Sequence, residues 1–199
     1  MKIFLQKVEY SLLALFLAVQ TQVPFVLIQF YKGRDQSFSL GNTLLVLMIY
    51  FVIIFYALRM AKKEGLLTLD FSFFNLKSVI WLVLSYLITF GVSIFAAIIM
   101  VLEGQLSGTT ANQTALQNLF QSTPVVLLIV GAVFSAPILE EIIFRGLIPQ
   151  KLFPKHELIG LIVGSILFGF FHGPTNIGSF VLYAGMGGVL ALVVYQTKR

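Results

Sequence analysis

From Ser78 to Leu102 no side chain carries a formal charge, and the same holds from Tyr10 to Tyr31. Apolar runs of about 20 residues are the length a helix needs to cross a bilayer. Six such runs follow one another, at about Tyr10–Tyr31, Gly41–Met60, Ser78–Leu102, Thr123–Leu147, Leu158–Phe171 and Ile177–Tyr195. The fifth is short, and extends only through its flank Lys155-His156-Glu157. Composition agrees with this pattern. The chain is 58% hydrophobic and 11% charged, against about 45–50% and 25% in soluble domains, too little charge to coat a surface facing water. The expected fold is all-α, a polytopic transmembrane bundle of about six spans.

The first run is too long for a signal-peptide core, and no small-x-small cleavage site follows it, so it is expected to stay as a span. Of the 13 lysines and arginines, all but Lys32, Arg34 and Arg145 fall in the odd-numbered segments between runs, with Arg59 counted there from the very end of the second run. That asymmetry places the odd segments, and with them both termini, in the cytoplasm. A polar loop from Glu103 to Ser122 is then outside. The stretch Gly65–Lys77 is too short to span and is expected to lie along the cytoplasmic interface. The organisation read from this is a set of N-terminal spans over residues 1–121, with the interfacial segment at about 61–77, and a C-terminal core over 122–199. There is no cysteine, which excludes disulfides, thiolate catalysis and cysteine-held metal. The net charge of +5 is spread over loops, so it reads as orientation signal and not as a nucleic-acid patch.

The fourth run breaks its own pattern. Glu140, Glu141 and Arg145 lie within it, and each charge at bilayer depth costs roughly 2.5–3.5 kcal/mol on insertion scales. On an α-helix Glu141 and Arg145 share a face with the acid first, the better order. Glu140 points about 140° away from Arg145. Arg145 is thus expected to neutralise Glu141, leaving Glu140 as the candidate general base. Pro137 is expected to kink the helix beside it. His172 closes the fifth run, and Ser165 and Phe168 share its helical face, with Phe168 able to hold the imidazole ring. By helical rise, about 16 Å from Glu140 to Lys151 and about 22 Å from Glu157 to His172, both groups fall near the middle of the membrane. His156, in a basic loop, reads as solvated. The pairs Gly160/Gly164, Ala184/Gly188 and Gly187/Ala191 read as helix-packing steps. Gln20, Gln22, Pro24 and Gln29 interrupt the first run, and lining of the bundle interior is the weaker reading for them. From physics alone the acidic cluster fits a structural ion-pair lock, a proton or cation path, or hydrolytic chemistry.

At these residues the chain resembles the CAAX-protease and bacteriocin-processing (CPBP, or Abi) intramembrane peptidases. Glu140-Glu141-x-x-Phe144-Arg145-Gly146 is similar to their first motif and Phe168-x-x-x-His172 to their second. The likeness covers about Ser122 to Tyr195. It implies a helical bundle with a site buried in the membrane and open to water. Glu140 with His172 would activate the attacking water there, and Arg145 would brace the two carboxylates. It also implies either a divalent metal such as zinc, on Glu140 and His172, or a metal-free glutamate mechanism. A catalytic zinc takes three protein ligands, and this chain offers Glu140, Glu141, His172 and little more. The family carries a further motif, a histidine followed four residues later by asparagine or a small residue. No histidine follows His172 in these residues. Asn176 stands four after His172, but Pro174 denies the two a continuous helical face, so Asn176 is at most a supporting residue. A shortened or a diverged member, with weakened or lost turnover, is what that departure implies.

The function so implied is an intramembrane endopeptidase of the bacterial plasma membrane, multi-pass, with the lipid bilayer and a peptide or membrane-protein substrate as its partners. The substrate is a prenylated-type C-terminus, a peptide leader or a membrane segment. Two alternatives stand beside it, a non-catalytic bacteriocin self-immunity or scaffold protein, and a proton-coupled transporter.

Overall fold

The computed structural model describes residues 2–32, 38–67, 75–105, 109–121 and 123–197. All regular structure among them is helical. In chain order come α1 (Lys2–Lys32), α2 (Leu40–Lys63), α3 (Leu76–Leu102) and α4 (Ala111–Phe120). One helical run follows, made of α5 (Val125–Ile129), a π segment (Val130–Ser135), α6 (Ala136–Glu141) and a second π segment (Ile142–Leu152). Then come α7 (Glu157–Phe171) and α8 (Ile177–Thr197).

Five of these stretches, Ile3–Tyr31, α2, α3, Val125–Leu152 and α8, are long and apolar enough to cross a bilayer. The sixth expected span, α7, is a 15-residue helix. Along α3 only Ala96 and Met100 are buried, while Leu82, Tyr86 and Phe90 lie open on its surface. Contiguous apolar surface of that extent is tolerated against lipid and not against water. The chain is a multi-pass helical membrane protein. The expected interfacial segment falls largely on residues 68–74, outside those described. Within the expected Glu103–Ser122 loop the structure has a helix, α4. Its start is written in Thr110-x-x-Gln113, where the threonine Oγ1 accepts from the Gln113 N–H at 3.1 Å, the first half of a capping box.

The described chain forms two compact units. The first joins residues 1–67 to 115–147. Its core gathers Ile28, Val46, Tyr50, Leu119, Leu127 and Leu128. Ser39 caps α2, its Oγ accepting from Asn42 N–H at 3.1 Å. The other end of α2 closes with Leu66 N–H on Ala61 O at 2.8 Å, beside Gly65 at φ 70°, the left-handed helix stop that glycine permits. The Tyr10 hydroxyl donates to Glu64 Oε2 at 3.0 Å, tying the start of α1 to the end of α2.

The second unit joins residues 68–114 to 148–199. In it α8 packs against both α3 and α7. The contact with α3 is backbone-close: a Cβ on Gly178 would fall 2.9 Å from Ala96 O and 2.7 Å from Met100 N. On the α7 side a Cβ on Gly187 would sit 3.1 Å from Ser165 Cα. Small residues here are spacing devices, the packing that lipid-embedded helices use when no hydrophobic drive separates protein from solvent. Gly188, one residue on, faces open space.

Candidate active site

The acidic cluster is assembled within one helical run. Pro137 stands in the first turn of α6, where its missing N–H is least costly. A π turn lies just upstream, with Ala136 N–H reaching back five residues to Gly131 O. The second π segment contains Pro149. In an α-helix that ring would clash with the carbonyl four residues back, and the wider i→i+5 register relieves the crowding.

Arg145 lies inside that register. Its Nε stands 3.8 Å from Glu141 Oε2, an ion pair too long for a hydrogen bond. That is the pairing the four-residue spacing predicts. The guanidinium side chain is only 3% exposed while that of Glu141 is 50% exposed, and Glu140 is intermediate. Gly146 completes this stretch for a packing reason, since a Cβ there would lie 3.3 Å from Leu66 Cδ1.

His172 is built differently. Helix α7 stops at Phe171, His172 is its cap, and Gly173 turns the chain at φ 61°. The imidazole Nδ1 lies 2.9 Å from Phe168 O. A carbonyl oxygen only accepts, so Nδ1 carries the proton and Nε2 is the basic nitrogen of the neutral ring. The Phe168 ring packs on the imidazole with centroids 4.4 Å apart, as its spacing predicted. Ser165 turns to its own helix, Oγ donating to Leu161 O at 2.8 Å. Asn176 caps α8: its Oδ1 accepts from Ser179 N–H at 2.7 Å, and Ser179 Oγ accepts from Asn176 N–H at 3.2 Å.

Four residues of this turn were not anticipated. The Tyr183 ring stacks on the imidazole, centroids 4.3 Å apart and planes 16° from parallel. Its hydroxyl shares a 2.6 Å hydrogen bond with Thr110 Oγ1 and accepts from Asn112 Nδ2 at 3.3 Å. Glu103 accepts from the N–H groups of Ile177 and Gly178 at 3.0 and 2.9 Å, a carboxylate on a helix N-terminus. The turn is pinned to the C-terminal end of α3. Spacing rules could not reach these partners, which are 71 to 75 residues apart in sequence.

Among the described residues no three His, Cys, Asp or Glu side chains gather to hold a metal ion. They fall short of the three-ligand set of a catalytic zinc, and no step below runs through a metal.

Residues 122–199 match the family described as Type II CAAX prenyl endopeptidase Rce1-like. Among curated proteins the chain is similar to UPF0177 protein YvdC of Lactococcus lactis subsp. lactis (strain IL1403), 27% identical over 158 residues, covering 78% of this chain and 58% of the relative. UPF0177 protein YajF of the same strain is 27% identical over 192 residues, covering 96% and 93%. The protein titled "Putative membrane peptidase YdiL" of Bacillus subtilis (strain 168) is 30% identical over 151 residues, covering 74% and 59%. The chain therefore spans little more than half the length of YvdC and YdiL, and nearly all of YajF. No solved structure matches it at a significant level.

Proposed function

We propose that this chain, which belongs through residues 122–199 to the Rce1-like CAAX-protease and bacteriocin-processing family, is an intramembrane endopeptidase of the bacterial plasma membrane with both termini in the cytoplasm. In this reading Glu140 takes a proton from water, and the hydroxide adds to the carbonyl carbon of the scissile peptide bond. His172 accepts a hydrogen bond from the same water through Nε2, orienting it. Arg145 offsets the negative charge of the cluster throughout. The proton held by Glu140 then passes to the leaving amine as the tetrahedral intermediate collapses, so that acid and base are one group used twice.

One observation carries the reading. The imidazole Nδ1 meets a backbone carbonyl, which favours the tautomer whose Nε2 can accept a proton or a hydrogen bond, as a catalytic base or water-orienting group requires. The substrate class proposed is a membrane-anchored peptide, with a prenylated C-terminus, a leader peptide and a membrane segment as the forms to compare. Purified protein in proteoliposomes, offered these three with and without a chelator, tests it by mass-spectrometric detection of cleavage. Glu140→Gln and His172→Ala are each expected to lower the rate at least about 100-fold, the scale of general acid–base catalysis. Cleavage that survives both substitutions unchanged overturns the proposal. Cleavage that persists under chelation supports the metal-free route, and its loss overturns that route.

A further inference from the structure

The imidazole of His172 has three ring neighbours of different standing, of which Phe171, edge-on at 5.9 Å, is simply the preceding residue. Phe168 lies four residues back on the same helix and comes with the helix itself. Tyr183 belongs to α8, so it fixes the ring against a second element. Tyr183 is in turn fixed by a third. Its hydroxyl meets Thr110 and Asn112, at the start of α4. Thr110 is 1% exposed and Tyr183 8% exposed, so this hydrogen bond is shielded from competing water and, unmade, would leave a buried hydroxyl hydrogen without its acceptor. Thr110 has no latitude either, because the same Oγ1 accepts from the N–H of Gln113.

We propose that Tyr183 is a positioning residue for His172, holding the imidazole at the χ2 setting in which Nδ1–H meets Phe168 O, with Thr110 and Asn112 holding Tyr183. The physical need is specific. An imidazole is close to symmetric in shape, and a half-turn about χ2 would exchange Nδ1 for a carbon at the carbonyl. One hydrogen bond to a helix-end carbonyl resists that rotation weakly. A ring stacked in parallel and anchored at its far end resists it by contact over the whole face. Orientation of this kind changes the chemical step more than binding, and small misplacements cost up to about 100-fold. This inference rests on the peptidase reading for its kinetic consequence, and on the geometry alone for its structural one.

The chain has two histidines, so His156→Asn leaves His172 as a single reporter. In that background ¹⁵N-histidine labelling in lipid reads the ring tautomer directly. The starting protein is expected to show one signal set, with Nδ1 protonated. Tyr183→Leu is expected to give a mixture of tautomers or exchange-broadened rings. Thr110→Val, which leaves the stack and removes its anchor, is expected to give a smaller change in the same direction. Tyr183→Phe is expected to fall with Thr110→Val. Should Tyr183→Leu fail to insert, Thr110→Val and Tyr183→Phe carry the test. With cleavage measured alongside, kcat is expected to fall about 10- to 100-fold in Tyr183→Leu with KM nearly unchanged. Ring spectra of the inserted variants identical to those of the starting protein overturn the inference. An inactive starting protein with tautomer shifts in the variants overturns the peptidase reading and upholds the positioning role.

Discussion

The acid-bearing run and the histidine-bearing turn are built by opposite means. Glu140, Glu141 and Arg145 fall within six residues of one helical run, and Arg145 pairs with Glu141 by local spacing. His172 owes its setting to residues from α3's end, the start of α4 and α8. A cluster made from local spacing persists wherever its helix does. A turn made from distant contacts fails when any contributor shifts. The comparison teaches where damage should spread and where it should stay put.

The largest effect is expected at Arg145. Arg145→Leu removes the cation paired with Glu141 and leaves that carboxylate uncompensated. It should destabilise the inserted protein by about 2 kcal/mol, below the about 3–5 kcal/mol of a fully enclosed pair, because Glu141 is half exposed. Denaturant titration in detergent measures it, while ¹⁵N spectra of His172 should stay unchanged. A shift in those spectra would break the distinction between local and distant construction. Next is Gly178→Val, which forces atoms into the backbone of α3 and is expected to cost about 1–3 kcal/mol. Gly188→Ala, facing open space, is the matched control and should stay within about 0.5 kcal/mol. Equal losses at the two glycines would refute the packing assignment. The smallest is Glu103→Gln. It keeps hydrogen bonding to the start of α8 but loses charge at a helix N-terminus, worth about 0.3–1 kcal/mol and screened by salt. A loss insensitive to ionic strength would show that the charge is not what matters there.

Much of this was legible in the residues. The long apolar runs became helices, most with ends within about five residues of their expected places, while α1 starts eight residues early, at Lys2, and carries Lys7 and Glu9 in its first turns. The Glu141–Arg145 pair and the packing of Phe168 on His172 follow from four-residue spacing. The parts that were not legible share a cause. Tyr183 is one of three aromatic residues on α8, with Phe180 and Tyr195, and nothing local links it to Thr110, 73 residues away. The π register hides because a sequence shows its residues but not which carbonyl each N–H selects. Thr110-x-x-Gln113 was there to be read as a helix start, yet its polar setting made a loop the simpler expectation. The part of Asn176 is also local, a cap on α8, in keeping with the supporting role its place after Pro174 allowed.

A π turn is an α turn holding one residue too many. Genomes reach such a state by inserting a single codon, and leave it by losing one. With Val130–Ser135 and Ile142–Leu152 both in this form, the carboxylates stand between two places where a one-codon deletion would tighten the coil and swing whatever follows it by about 100°. Relatives that have abandoned this chemistry can therefore keep every residue of the acidic motif and still aim it elsewhere, and the trace would be a gap of one column beside the motif.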